Sequence, residues 1–489
     1  MIKIKSIFFA LVIAFSAVSC QKALDVNTDP NNPTTANPDL LLPNAQVTLA
    51  TSFGFQYSFI ASMWAQYWTS GTTISLTPIE TYTLVGGDLS RSWNNTYARS
   101  LEDLFQLTKS GEPVYSGIAK ILMAYAYQTL TDLHGDIPMS EALKGAIEDG
   151  AILAPKYDTP EEVYAALIPL IDEGLDEIDN ATVNDLVPGD DDLIYGGDLD
   201  NWHAFANTLK LKIYIRQSTV SSTALDAAYD LVNSGAPLID ASNPAQVYFS
   251  GATLGNSNPL WAQFESRIAT RMYLDASQTS IDYLTATFDP RIATIYNKGT
   301  DPAFVGIAQG EANNTPYKGT ADTKYAKPNT TYVYNPGLPV IFLSPWESKF
   351  LQAEALIRKG DPGAEAKWAE GVSESFDYYD LSADYAAYIA TQVFGVTMDD
   401  QLRSLALQKW VSMNGVQMVE GWIETRRFDV ESTNTIIFRG AGGLFHRPSE
   451  SVLPVNTFPS LFVYGLNEAA YNPNTPSNRK ITDKIFWDN

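Results

Sequence analysis

One stretch, Tyr127 to Leu143, does most to limit what this chain can fold into. Upstream of it Val114, Ile118, Ile121, Leu122 and Tyr125 recur at helical spacing, which gives an amphipathic helix with one apolar face. Gly135 can take the left-handed backbone that closes a helix. Pro138 has no N–H to donate and pushes Ile137 out of helical geometry. Ser140 is then placed to cap a new turn at Glu141-Ala142-Leu143. The pattern is helix, stop, turn and helix start.

The same stretch holds Asp132, His134 and Asp136, the most chemical-looking cluster in the sequence. A metal site or an acid/base pair is one reading. The other is that both aspartates bond their own turn, as Asp commonly does. Two carboxylates and one imidazole in one loop give no closed ligand set, so the second reading is preferred and no metal is expected. The chain has three His in all, which argues against a His-rich metal centre or a His-dependent triad.

The N-terminus sets the compartment. Lys3 and Lys5 precede an apolar run from Ile7 to Phe15, too short for a permanent membrane span, and then Ser16, Ala17 and Ser19. This is a secretory leader. Ala17-Val18-Ser19-Cys20 resembles a bacterial lipobox, and Cys20 is the only cysteine, so it has no disulfide partner within the chain. Residues 1–19 are therefore read as a lipoprotein signal peptide, Cys20 as a lipidated residue, and 20–39 as a polar tether. Lipidation holds a domain at a membrane without spanning it. Asn27, Asp29, Asn31 and Asn32 in the tether invite a calcium reading, but the EF-hand Gly and terminal Glu are missing and turns are preferred.

Residues 40–489 read as one helical domain. Helical patterns cover about 40–68, 93–109, 114–131, 160–178, 202–217, 223–233, 345–360, 364–379 and 399–427. Thr159-Pro160-Glu161-Glu162 is a well-formed start, with a cap, a proline and then acids. The acids of 188–200 read as a solvated turn. Residues 236–343 change character, with Gly, Ser, Asn, Pro and Thr dominant, and a loop-rich block of that length inside a helical protein is usually functional. The last sixty residues read as irregular wrapping. Helices in consecutive pairs, with small residues at their contacts as in Ala353-Glu354-Ala355, suggest degenerate tetratricopeptide-like hairpins.

Charge excludes one class of partner. The formal net charge is −24, and −26 once the leader and its two lysines are removed, with no compensating basic run, so nucleic acid is not expected. Aromatics make up 12% of the chain; much of this is read as core, and Tyr and Trp in polar loops as a contact surface for sugar rings or peptides.

Several stretches together resemble the SusD/RagB family, outer-membrane nutrient-binding lipoproteins of Bacteroidetes, in its SusD-like branch. They are the lipobox Cys20, the opening Asp25-Val26-Asn27-Thr28-Asp29-Pro30, the pivotal Thr131-Asp132-Leu133-His134-Gly135-Asp136-Ile137-Pro138, and Trp202 to Leu211. Asp289-Pro290-Arg291, Ala353-Glu354-Ala355 and Gly421-Trp422-Ile423-Glu424-Thr425-Arg426-Arg427 complete the set. The resemblance implies a mostly α fold with tetratricopeptide-like hairpins and a loop-rich ligand side. It implies a non-enzymatic, cofactor-free protein that captures oligosaccharides, or in some members peptides, over a SusC-like TonB-dependent transporter. The residues after Cys20, Gln21-Lys22-Ala23-Leu24, lack the acids often associated with surface export in such lipoproteins.

Ligand residues do not transfer from the resemblance, because the ligand loops vary. Physical choice falls on loop aromatics with a cationic partner: Trp68, Tyr82 and Trp93 around the first loop, and Trp261, Arg271, Tyr332 and Tyr334 in the long block. Trp64, Trp202, Trp346, Trp410 and Trp422 lie on helical apolar faces and are assigned to the core. Two other functions fit a chain of this kind. A secreted glycoside hydrolase would need a working carboxylate pair, which 56 acids make easy to imagine and hard to credit. A purely protein-binding scaffold would respond to no glycan.

Overall fold

A computed structural model describes residues 37–488 apart from 74–76, 146–149, 269–273 and 430–435. The leader, Cys20, most of the tether and Arg271 lie outside the described residues. The architecture is helical with short strands, and the principal helices are numbered here in chain order.

Helix α1 (Pro38–Ser52) starts on a proline and passes through a π-helical stretch, Phe53–Tyr57, into Ser58–Trp64. The wide turn leaves a carbonyl without its usual partner, and the Ser58 hydroxyl donates to Phe53 O at 2.7 Å. Helix α2 (Pro113–His134) is the expected pivotal helix. It stops where the sequence requires, with Gly135 at φ +80° and its N–H returning to Thr131 O at 2.8 Å. Helix α3 (Pro160–Asp179) opens with the complete capping box between Thr159 and Glu162. The two helices pack where Gly117 faces Gly174. A Cβ on Gly117 would lie 2.4 Å from the Gly174 carbonyl oxygen, so only glycine lets the backbones approach this closely.

The new helix after Pro138 does not form. Residues 141–143 are turns, with Leu143 at φ +63°. Asp158 is the cause. Its carboxylate accepts the Met139 and Ser140 N–H groups at 3.0 and 2.7 Å and the Ser140 hydroxyl at 2.7 Å, which removes the hydroxyl from capping.

Further pairs follow: α4 (Leu199–Gln217) with α5 (Ser222–Asn233), α6 (Pro345–Lys359) with α7 (Ala364–Tyr378), and α8 (Met398–Met413) with α9 (Met418–Arg427). The last two read as one helix in the sequence. Asn414 and Gly415, the latter at φ +82°, break it. A further short helix, Ser382–Ile389, also escaped the sequence reading.

The loop-rich block holds the helices Pro259–Ile268 and Gln278–Ala286 and contributes strands to three small antiparallel pairs. Strand β1 (Trp68–Ser70) pairs with β3 (Leu274–Ala276), β2 (Ala245–Val247) with β6 (Val340–Leu343), and β4 (Tyr296–Asn297) with β5 (Lys327–Pro328). One core cluster extends from Leu42 to Trp487. The C-terminal segment wraps into it: Phe462 stacks on Trp422 at 4.7 Å, and the Trp487 indole N–H donates to Asp132 at 3.1 Å.

Candidate functional site

The acidic pivotal motif is structural, though not in the way its sequence suggests. Asp132 does not bond its own turn. It is fully buried and ion-pairs with Arg216 of α4 at 3.0 Å, and it accepts Tyr164 OH at 2.6 Å. Arg216 also meets Glu420 at 2.7 Å and pairs with Glu424, both on α9. Lys212 bridges Glu347 and Glu420 at 2.9 and 2.8 Å. Lys409 meets Glu424 at 2.9 Å, and Arg427 holds Glu354 and Glu424 at 2.5 and 2.6 Å. With Arg358 on Glu354, five basic side chains face five acidic ones, and burial with Arg427 nearby lowers the Lys409 pKa to about 7. Burial opposes the Glu354 carboxylate, yet Arg427 and Arg358 outweigh it and hold its pKa at about 2.

His134 is also buried, with Nε2 3.2 Å from Tyr57 OH, and burial lowers its pKa to about 3, so the ring is neutral. Asp136 leaves the cluster altogether and pairs with Arg479 at 2.9 Å. Among the described residues no group of three His, Asp or Glu is arranged to hold a metal. Asp192, read as part of a solvated turn, is buried too: it accepts Gln46 Nε2 at 2.7 Å and Trp202 Nε1 at 2.8 Å. Asp289 and Arg291 pair internally at 2.6 Å. The motifs that carry the family resemblance within the described residues thus build the scaffold.

An open cleft of about 470 Å³ lies where the loop-rich block meets the α6–α7 pair. The β2–β6 pair supplies Gln246 and Ile341, which face each other in register. Alternation places Val247 and Phe249 inward and leaves Tyr248 67% exposed beside them. Its hydroxyl accepts Gln246 Nε2 at 2.6 Å. Tyr332 is presented by a turn in which Asn329 Oδ1 accepts the Thr331 and Tyr332 N–H groups at 2.8 and 3.3 Å. The Tyr332 hydroxyl donates to Asp380 at 2.9 Å, and that bond raises its pKa. Ser344 caps α6 through the Glu347 N–H at 3.1 Å and sets Pro345 and Trp346 on the wall. Tyr378 of α7 meets the Trp346 ring at 5.2 Å, edge to face, and donates its hydroxyl to Tyr332 O at 3.2 Å. Glu374 and Asp377 complete the rim, and burial, with Asp377 adding to it, raises the Glu374 pKa.

This arrangement can hold a ring and read its hydroxyls. Aromatic faces take the apolar face of a pyranose, while carboxylates, Gln246 and Thr331 exchange hydrogen bonds with its rim.

The residues expected to contact ligand divide sharply. Tyr332 lines the cleft. Tyr334, two positions on, is turned into the core and is 3% exposed. Trp68 is fully buried in β1, where it pairs with Ala276, and Tyr82, at φ +72°, is buried against Trp64 with ring centroids 6.1 Å apart. These three offer no face to a ligand, because their loops fold back over the core. Trp93 is 2% exposed, and its indole N–H donates to Glu468 at 3.3 Å, but it borders a separate recess of about 260 Å³ with Tyr97 and Tyr471. Trp261 is half-buried at the start of Pro259–Ile268, outside the cleft lining. Trp64, Trp202, Trp346, Trp410 and Trp422 are buried as expected, although Trp346 also forms cleft wall. Tyr248, Glu374, Asp377 and Tyr378 went unrecognised. The period-two pattern of Ala245 to Phe249 was the available signal for Tyr248.

A family model for SusD-like proteins, described as "Starch-binding associating with outer membrane", matches residues 30–436. No curated protein matches the sequence. Among solved structures, a chitin-binding protein superposes with a TM-score of 0.74 at 21% identity, covering 93% of this chain and 100% of its own. A Bacteroidetes SusD-like protein, AC2a, gives 0.75 at 17% identity over 93% and 100%. A SusD homolog from Bacteroides uniformis gives 0.73 at 20% identity over 92% and 99%. At these identities the likeness speaks for the fold.

Proposed function

This chain belongs to the SusD-like family, and from that premise we propose that it is a lipid-anchored receptor that captures oligosaccharides in the Tyr248–Tyr332 cleft and passes them to a SusC-like TonB-dependent transporter. Members of the family are binding proteins, not enzymes, and associate with the outer membrane. The observation that carries the reading is the cleft itself: about 470 Å³, open, and walled by Tyr248, Tyr332, Trp346 and Tyr378. Family membership supports a glycan ligand, and one structural neighbour is a chitin-binding protein. Anchoring rests on Cys20 and its lipobox, since among the described residues no helix is long and apolar enough to cross a membrane. In this reading the anchored chain stands at the cell surface, with the helical pairs toward the transporter and the loop-rich side toward the ligand.

Incubation with a panel of oligosaccharides and polysaccharide gels tests the reading. Retardation in a gel without released products is expected. Released products would favour the hydrolase, binding of peptides alone the peptide-binding branch, and silence toward all of them a protein scaffold. Cys20→Ala is expected to free the protein from membranes in cells that lack the transporter. A variant that still sediments with them would contradict lipid anchoring.

A further inference from the structure

The cleft has a second property, its charge. Resting on the reading of the cleft as a glycan site, we infer that it selects by charge, taking amine-bearing oligosaccharides over neutral ones and rejecting uronates. The acidic side chains on its rim are Glu374 and Asp377, and among the described residues no Lys or Arg lines it. Asp380 stands directly behind the Tyr332 hydroxyl. Lys349 lies near Glu374 but is engaged with Glu370 at 3.2 Å, and Lys367 is engaged with the same Glu370 at 2.8 Å. Asp240 adds negative potential at Glu374. The chain as a whole, at −24, deepens that potential.

The cleft wall also holds one buried polar group without a partner. Trp346 is 3% exposed and on the cleft wall, and its indole N–H finds no acceptor among the described residues. Aromatic walls accept any pyranose face, so they cannot separate sugars that differ only in charge. The carboxylates can. A protonated 2-amino group at the rim meets the half-buried Glu374 or the exposed Asp377, and charge-assisted hydrogen bonds are roughly twice as strong as neutral ones. A uronate in the same place meets like charge, which is costly at an interface.

Three tetramers of similar length test this by calorimetry: glucosamine, its fully N-acetylated counterpart, and galacturonate. At low salt the glucosamine tetramer is expected to bind about tenfold more tightly than the N-acetylated one, with the advantage shrinking toward unity at high salt, and galacturonate is expected not to bind. The double variant Glu374→Gln/Asp377→Asn should bring the amine-to-neutral ratio near one. It changes the net charge by only two, so loss of the ratio cannot come from the overall field. Equal affinities for all three sugars, with Tyr248→Ala weakening each, would overturn charge selection while leaving the glycan site standing. A preference that survives the double variant would also overturn it. Binding of every sugar unaffected by Tyr248→Ala would remove the cleft as the glycan site, and the selectivity with it.

Discussion

The buried ionic network and the aromatic cleft are built from the same helices by opposite rules. Helix α6 serves both: Glu347 and Glu354 point into the network, while Pro345 and Trp346 form cleft wall. In the network every charge has a partner and all but Arg358 are buried, so it fixes how α2, α4, α6, α8 and α9 register against one another. In the cleft Tyr248, Tyr332 and Tyr378 keep exposed surface, as do Glu374 and Asp377, so these groups remain available. Charge placed inside specifies the scaffold, and aromatic surface left outside meets the ligand.

The sharpest way to break this division is to remove a network cation. Arg427→Met leaves Glu354 and Glu424 buried with diminished pairing and is expected to cost roughly 3–5 kcal/mol in chemical unfolding. A loss under about 1 kcal/mol would show that the network is not a stabilising unit. Asp132→Asn keeps the shape but removes the charge facing Arg216, and about 2–3 kcal/mol should be lost with oligosaccharide affinity within twofold of the parent. Unchanged melting with abolished binding would transfer that motif from scaffold to site.

Acid should act on the scaffold in two windows. His134 has a folded pKa of about 3 against 6.5 unfolded, so protons favour the unfolded chain and stability falls as pH drops from about 6.5 toward 3. Glu354, at about 2 against 4.5, contributes stability that is complete above 4.5 and lost on the way down to 2. Between pH 6.5 and 4.5 only His134 of this pair titrates, at a slope approaching 1.4 kcal/mol per unit, or roughly 2 kcal/mol over the window. His134→Gln should flatten that part of the stability profile, and an unchanged slope would remove His134 as its source. The smallest effect on stability belongs to the cleft. Tyr248→Ala is expected to change unfolding free energy by under about 0.5 kcal/mol and to weaken oligosaccharide binding about tenfold. A large drop in melting temperature would make Tyr248 a core residue after all.

Much of the scaffold could be read in advance because its signals are local. The Thr159 capping box, the Gly135 stop and the Pro345 start each act within a few residues, and each stands where the pattern put it. The break at Asn414-Gly415 was hidden by apolar residues that continue the helical pattern on both sides. The network was half legible. Its motifs were visible as family stretches, but Asp132 meets Arg216 across 84 positions and Glu354 meets Arg427 across 73, and no local rule predicts such pairs. The cleft was least legible, since it joins residues 241–248, 331–346 and 374–378. An aromatic in a polar loop looks the same in sequence whether the loop turns it outward, as at Tyr332, or inward, as at Tyr334.

The most direct test of the receptor account is a crystal structure grown with the oligosaccharide that retards the protein most strongly in gels. The account predicts an unbroken sugar chain lying in the cleft, with a pyranose face on Tyr248 or Tyr332 and hydroxyls within hydrogen-bond reach of Asp377. A sugar held only elsewhere on the molecule, or one found cleaved, would contradict it.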